Sequence, residues 1–226
     1  MATTPRVILF DVNETLSDMS ALGSRFSDIG LAPELSTLWF ATLLRDGFAL
    51  TASTDNVPFA DIGAGALRVL LAGKSINRPL DAAIAHVMEG LIGLPLHDDV
   101  PQGIVALADA EYRLVTLSNG SASIAGKLFT EAGIRVHFEL LLSVEDAPAW
   151  KPAPESYSYA ATRIGVEPAE ILLVAVHPWD IHGAARAGLN TAWLNRGNGT
   201  YPPHFAPPDI TVTSLRDLPA ALSVPR

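Results

Sequence analysis

Five short apolar runs, set apart by stretches of helical length, limit most tightly what this 226-residue chain can become. The first is Arg6-Val7-Ile8-Leu9-Phe10. The others are Tyr112–Leu117, Glu139–Ser143, Ile171–Val176 and Thr191–Asn195. Near-continuous apolar runs of this kind mark strands buried on both faces, as in a parallel sheet. Helix-compatible segments lie between the later runs, at Gly103–Glu111, Ala122–Ala132, Glu155–Ile164 and Ile181–Ala187. Strands alternating with helices join through right-handed βαβ units. The pattern therefore predicts an α/β fold with a doubly wound, Rossmann-like parallel sheet.

One interval breaks the alternation. Residues 16–98 hold no comparable run, only helix-compatible stretches at Leu35–Phe48, Ile62–Ala72 and Pro79–Leu91. A connection that long inside a compact unit must carry structure of its own. It reads as an inserted helical cap domain over 16–98, with a split core of 1–15 and 99–226. The Pro-rich tail Tyr201–Arg226 is expected to wrap the surface, with one short strand at Ile210–Val212.

Composition removes several classes of function. A formal net charge of -9 argues against a nucleic-acid partner, which needs clustered Lys and Arg. A small anionic substrate stays allowed, because it responds to a local pocket. The absence of cysteine excludes disulfides, thiolate catalysis and cysteine zinc sites together. No uncharged apolar stretch approaches the roughly 18 residues of a membrane span. The apolar run in Met1–Phe10 is too short for a signal peptide and lacks a small-residue cleavage site. A cytoplasmic enzyme is the expectation.

Open parallel sheets bind ligands beyond the carboxyl ends of their strands, and four segments fall there. In Phe10-Asp11-Val12-Asn13-Glu14-Thr15-Leu16, a carboxylate directly after a buried strand can attack carbon or phosphorus; it can also simply cap the next turn. Ser118-Asn119-Gly120 offers a hydroxyl, an amide and unpaired N–H groups to an anion, or an ordinary helix cap. Trp150-Lys151-Pro152-Ala153-Pro154 sets Lys151 just before a helix that carries Tyr157 on its second turn. A lysine beside the nucleophile would keep Asp11 ionised; the alternative is a surface lysine. His177-Pro178-Trp179-Asp180 opens another helix, where Asp180 could accept a proton from water, orient Lys151, or cap.

Each segment is weak alone, but their order is specific. Over nearly its whole length the chain resembles the haloacid-dehalogenase superfamily, and within it the hydrolytic 2-haloacid dehalogenases, which carry a helical cap after the first motif. Most superfamily members are magnesium-dependent phosphatases. Those typically place an acid/base Asp two positions past the nucleophile, where this chain has Asn13. They place a metal-binding Asp four residues before the Asp180 position, where it has Val176, useless to a hard cation. Halide departs without a proton, so carbon–halogen cleavage needs neither group. The resemblance implies a cofactor-free, metal-free dehalogenase of short 2-haloalkanoic acids. In it Asp11 displaces halide to form an ester, which water activated by Asp180 with Lys151 nearby then hydrolyses. Thr15, Ser118, Asn119 and Tyr157 match polar active-site positions; Ser118 would bind the substrate carboxylate, and Tyr157 would orient Lys151 or an acid.

The pocket departs from the family. Its halide-receiving arginine usually follows a cap tryptophan, whereas Trp39 is followed here by Phe40, and the nearest arginine is Arg45. Asn13 replaces the usual aromatic, and Ala175 and His177 replace polar Ser and Asn. Val12, Asn13, Phe40, Arg45, His177 and Trp179 are the expected substrate-pocket residues, with His177 and Trp179 as a replacement halide cradle. Hydrolysis of another substrate, a phosphatase, and a silent binding protein that kept the fold stay open, and cap helix surface would suit a homodimer.

Overall fold

A computed structural model describes residues 5–223. Six parallel strands form one sheet: β1 (Val7–Phe10), β2 (Arg113–Ser118), β3 (Phe138–Ser143), β4 (Ile171–Ala175), β5 (Asn190–Leu194) and β6 (Ile210–Val212), in the order β3-β2-β1-β4-β5-β6. β1 is central, pairing Phe10 with Thr116 of β2 and with Val174 of β4. The chain winds outward from β1 to β3, then returns to build the other half from β4. Connections therefore diverge between β1 and β4, and a crevice opens at that switch point.

The apolar runs form strands because both of their faces are covered. Alternate residues of β1 enter different cores. Val7 and Leu9 join Val115, Leu117, Ile171 and Leu173 on one face. Ile8 and Phe10 join Leu114, Leu172, Val174, Ala192 and Leu194 on the other. The second core is closed by α5 (Val100–Asp109) and α6 (Ala122–Glu131), the first by α7 (Pro154–Ile164) and α8 (Pro178–Arg186). Phe10 is fully buried, edge-on to Phe138 at 6.1 Å; truncating it to Ala would cost about 3–5 kcal/mol.

Between β1 and α5 there are four helices: α1 (Leu22–Asp28), α2 (Leu35–Ala52), α3 (Phe59–Leu71) and α4 (Leu80–Ile92). Their inner faces, including Phe26, Trp39, Leu43, Leu67 and Val87, belong to the same apolar cluster as α7 and α8. The two connections to the sheet are zipped together. Asp18 N donates to Pro95 O at 2.8 Å, His97 N donates to Leu16 O at 3.0 Å, and Ser17 bridges Leu96.

The tail forms the expected strand β6 and is mostly exposed or half-buried, but it also reaches inward. After β6 it forms α9 (Leu218–Leu222), and Leu215 and Leu218 are completely buried in the second core. Its last residues, 224–226, and the first four of the chain lie outside the described residues. No described helix is long and apolar enough to cross a membrane.

Candidate active site

Asp11 lies one residue past β1, its amide still bonded to Val174 O at 3.1 Å, so its carboxylate stands over the crevice. The Thr15 hydroxyl, one turn on, donates to Asp11 Oδ2 at 2.6 Å and accepts from Val176 N. Lys151 reaches in from the loop before α7. Its Nζ donates to Asp11 Oδ1 at 2.9 Å and to Asp180 Oδ2 at 2.6 Å, and neither Lys151 nor Asp180 is exposed. Tyr157 donates to Asp180 Oδ1 at 2.6 Å. A buried ammonium is stable here because two carboxylates hold it.

His177, at the start of α8, completes the network. Its Nδ1 lies 3.0 Å from Asp11 Oδ2 and its Nε2 lies 2.7 Å from Glu14 Oε2. The ring stacks on Trp179 at 4.9 Å, and Trp179 meets Phe48 edge-on. Glu14 has φ 61, a left-handed backbone that turns its carboxylate toward the imidazole.

Burial and pairing compete at each group. Burial pushes the Asp11 carboxyl up, but Lys151, His177 and Thr15 overcome that and hold it well below the usual carboxylate range. Burial pushes His177 down, yet its bonds to Asp11 and Glu14 prevail and raise it to about 9, so the ring is an imidazolium at neutral pH. Asp180 is raised, by burial first, and Tyr157 is pushed well above its ordinary value, also by burial first. Lys151 is raised despite burial, because Asp11 and Asp180 flank it.

A cavity of about 630 Å³ opens beside this network, lined among others by Glu14, Phe40, His97, Val176, His177 and Arg196. His177 lines the cavity and also bonds Asp11.

The expected residues separate into groups. Asp11, Thr15, Lys151, Tyr157, His177 and Asp180 form one connected network. Asn119 does not point into a pocket; its amide clasps the Lys151 peptide, accepting from Lys151 N at 3.0 Å and donating to Lys151 O at 3.2 Å. Ser118 is buried at the end of β2 and accepts from Gly120 N. Phe40 lines the cavity, and Asn13 lies half-buried against Gly120. Three further expected pocket residues lie outside the cavity wall. The Val12 side chain is packed in the core with Phe10 and Leu16, because the loop turns its carbonyl, and not its side chain, toward Leu16 N and Ser17 N. Arg45 points to solvent, paired with its neighbour Asp46, and is absent from the cavity wall. Trp179 supports His177 and is not part of the cavity wall.

Sequence reasoning missed Glu14, His97, Arg196 and Trp150. Glu14 had a readable signal, a carboxylate inside the loop that carries Asp11 and Thr15. Arg196 binds Thr15 O with Nη2 at 2.8 Å and Asp99 with Nη1 at 2.8 Å, a contact no local pattern reveals. Trp150 stacks on Phe59 at 5.8 Å and donates to Val57 O, tying the loop of Lys151 to the start of α3.

A family model for haloacid dehalogenase-like hydrolases matches residues 5–188. The chain belongs to that family. An (S)-2-haloacid dehalogenase of Pseudomonas sp. (strain YL) is 30% identical over 92% of this chain and 90% of its own length. Haloacetate dehalogenase H-2 of Moraxella sp. (strain B) is 28% identical over 91% of this chain and 92% of its own. Among solved structures, a dehalogenase with an intermediate complex superposes with a TM-score of 0.90 at 26% identity, over the whole of both chains. The α/β expectation therefore holds, and this family member carries His177 against both Asp11 and Glu14.

Proposed function

We propose that this protein hydrolyses the carbon–halogen bond of 2-haloalkanoic acids through an ester on Asp11. One observation carries the reading: a buried, ionised carboxylate at the end of β1 is held by an ammonium that also bridges to Asp180. Asn13 supplies no acid, and the Val176 side chain supplies no oxygen ligand.

In the first half-reaction an Asp11 oxygen attacks C2, the carbon–halogen bond breaks, and halide leaves with the bonding pair. The hydroxyl of Ser118, whose oxygen already accepts from Gly120, donates to the substrate carboxylate. Arg45 lies outside the pocket, and His177 gives both ring nitrogens to Asp11 and Glu14.

The second half-reaction needs a base that water can reach. Asp180 is completely buried, with one oxygen on Lys151 and the other on Tyr157. His177 lines the cavity and is backed by Glu14. Esterification neutralises Asp11 and so removes much of what holds the proton on His177, which sheds it to solvent. Neutral His177 then takes a proton from water as its oxygen attacks Asp11 Cγ. The tetrahedral intermediate expels the product alkoxide, which takes that proton back and leaves as a 2-hydroxy acid. The carboxylic acid left on Asp11 returns its own proton to His177, restoring the resting pair. One proton is released per turnover. Asp180 and Tyr157 fix Lys151, which keeps Asp11 ionised between turnovers.

The test is halide release from chloroacetate and (S)-2-chloropropionate with EDTA present. Release that Asp11→Asn abolishes is the expected result. No release, with Mg²⁺-dependent cleavage of p-nitrophenyl phosphate, would overturn the reading.

A further inference from the structure

We propose that His97 is a positioning residue for the hydrolytic half of the reaction, acting through the backbone of Glu14. The proposal rests on the reading of His177 and Glu14 as the base pair.

His97 Nε2 lies 3.0 Å from the Glu14 carbonyl oxygen, 83 residues away in sequence. A carbonyl can only accept, so Nε2 carries the hydrogen and the tautomer is set. Glu14 holds φ 61, a conformation a side-chain-bearing residue keeps only where its surroundings over-determine it. Apart from the short bridge between Asn13 and Ser17, little else fixes that turn from the cavity side. Asp11 and Val12 are anchored to the sheet and to the turn that follows, through Asp11 N to Val174 O and through Leu16 N and Ser17 N to Val12 O. Thr15 is gripped by Arg196 at its carbonyl. Glu14 lies between these anchors, and its carbonyl is taken by His97 alone among the described hydrogen bonds.

The consequence reaches the chemistry in one step. Glu14 Oε2 meets His177 Nε2 at 2.7 Å, and that bond needs the left-handed turn. If the carbonyl is released, the peptide can relax toward a commoner conformation and swing the carboxylate off the imidazole. Asp11 and Lys151 are anchored outside that turn, by Val174 O and by the Asn119 amide. Loss of His97 should thus slow ester hydrolysis and spare ester formation. His97 is itself fixed by its backbone bond to Leu16 O, within the zipped connections, which makes it a rigid prop.

A purely structural staple would behave differently, because it would weaken both halves together. The experiment is rapid-quench turnover of (S)-2-chloropropionate, reading the halide burst, the steady-state rate and the ester on the Asp11 peptide by mass spectrometry. Wild type, Glu14→Gln, His97→Ala, His97→Gln and Glu14→Gln/His97→Ala are compared. Glu14→Gln should cut steady-state kcat about a hundredfold and accumulate ester. His97→Ala should keep the burst rate, lose roughly tenfold in kcat and also accumulate ester, the loss of one hydrogen bond. His97→Gln keeps an N–H donor and should recover most of that loss. The double variant should be no slower than Glu14→Gln alone.

A burst that falls as much as kcat in both His97 variants would overturn the proposal. So would a double variant slower than Glu14→Gln. If Glu14→Gln accumulates ester but His97→Ala does not, only the positioning role fails. If Glu14→Gln turns over like wild type, the base reading fails and this proposal falls with it.

Discussion

Replacing Lys151 with Met removes the ammonium between Asp11 and Asp180 while keeping a side chain of similar length. In the native protein Nζ lies 2.9 Å from one carboxylate and 2.6 Å from the other, and all three side chains are no more than 5% exposed. Asp11 would keep His177 and Thr15 and Asp180 would keep Tyr157, but the two buried carboxylates would face each other without the cation that bridges them. Breaking a buried ion pair by removing one partner costs about 3–5 kcal/mol. In a chain of this size each kcal/mol is worth about 2–4 °C, so Lys151→Met should melt about 6–20 °C below wild type at pH 8. The loss should depend on pH with a definite sign. Without the lysine, mutual repulsion and burial raise a carboxyl pKa above its unfolded value near ~3.9, and the pair takes up a proton as the pH falls. The variant should regain stability between pH 8 and pH 5. In wild type Asp11 is held below its unfolded value, so its contribution is complete above that value and is lost only as acid reaches the depressed one. Thermal melts of both proteins at pH 5.0, 6.5 and 8.0 read this directly. A Lys151→Met protein that melts within a degree or two of wild type at pH 8, or whose deficit does not shrink in acid, refutes the reasoning.

Other outcomes follow from the same geometry. Asp11→Asn should release no halide, measured by ion chromatography, and should melt below wild type, because it takes one carboxylate away from Lys151 and His177. His177 is raised to about 9 from an unfolded value near ~6.5, so its contribution, on the order of 3 kcal/mol, is full below the lower value and is lost as pH rises through the upper one. Melts between pH 6 and 10 should show that decline in wild type and lose most of it in His177→Asn. A Cβ at Gly47 would collide with the Trp150 ring. Gly47→Ala should therefore cost about 1–3 kcal/mol in urea denaturation, and lower halide release by shifting the loop that delivers Lys151.

The core of the fold was legible because burial on both faces writes itself into composition. Each of the five runs became a strand within a residue of its expected ends, from Val7–Phe10 to Asn190–Leu194. The helices between β1 and α5 were legible by length and loss of strand character, although α2 runs on to Ala52. The short α1, with Gly23 inside it, gave no comparable pattern. The tail misled in part, because prolines suggest surface, while its few leucines, Leu215 and Leu218, decide its packing. The site was legible where motifs sit at strand ends, as with Asp11, Lys151 and Asp180. It was illegible where a long-range contact assigns the role. Asn119 offers an amide to any reader, but only the fold spends it on the Lys151 peptide. Arg196 reaches Thr15 across 181 residues, and nothing near either residue announces it. Arg45 looked like a candidate only by its proximity to Trp39 in sequence; the helix turns it outward.

The central claim is that an oxygen of Asp11 forms the bond to carbon and is later replaced from water. Enzyme in excess over (S)-2-chloropropionate, in heavy-oxygen water, completes one turnover and is then digested and weighed. The account predicts one heavy oxygen in the peptide that contains Asp11, and none in the hydroxyl of the first-turnover product. An unlabelled peptide together with a labelled product would mean that water attacked the substrate directly, and would contradict it.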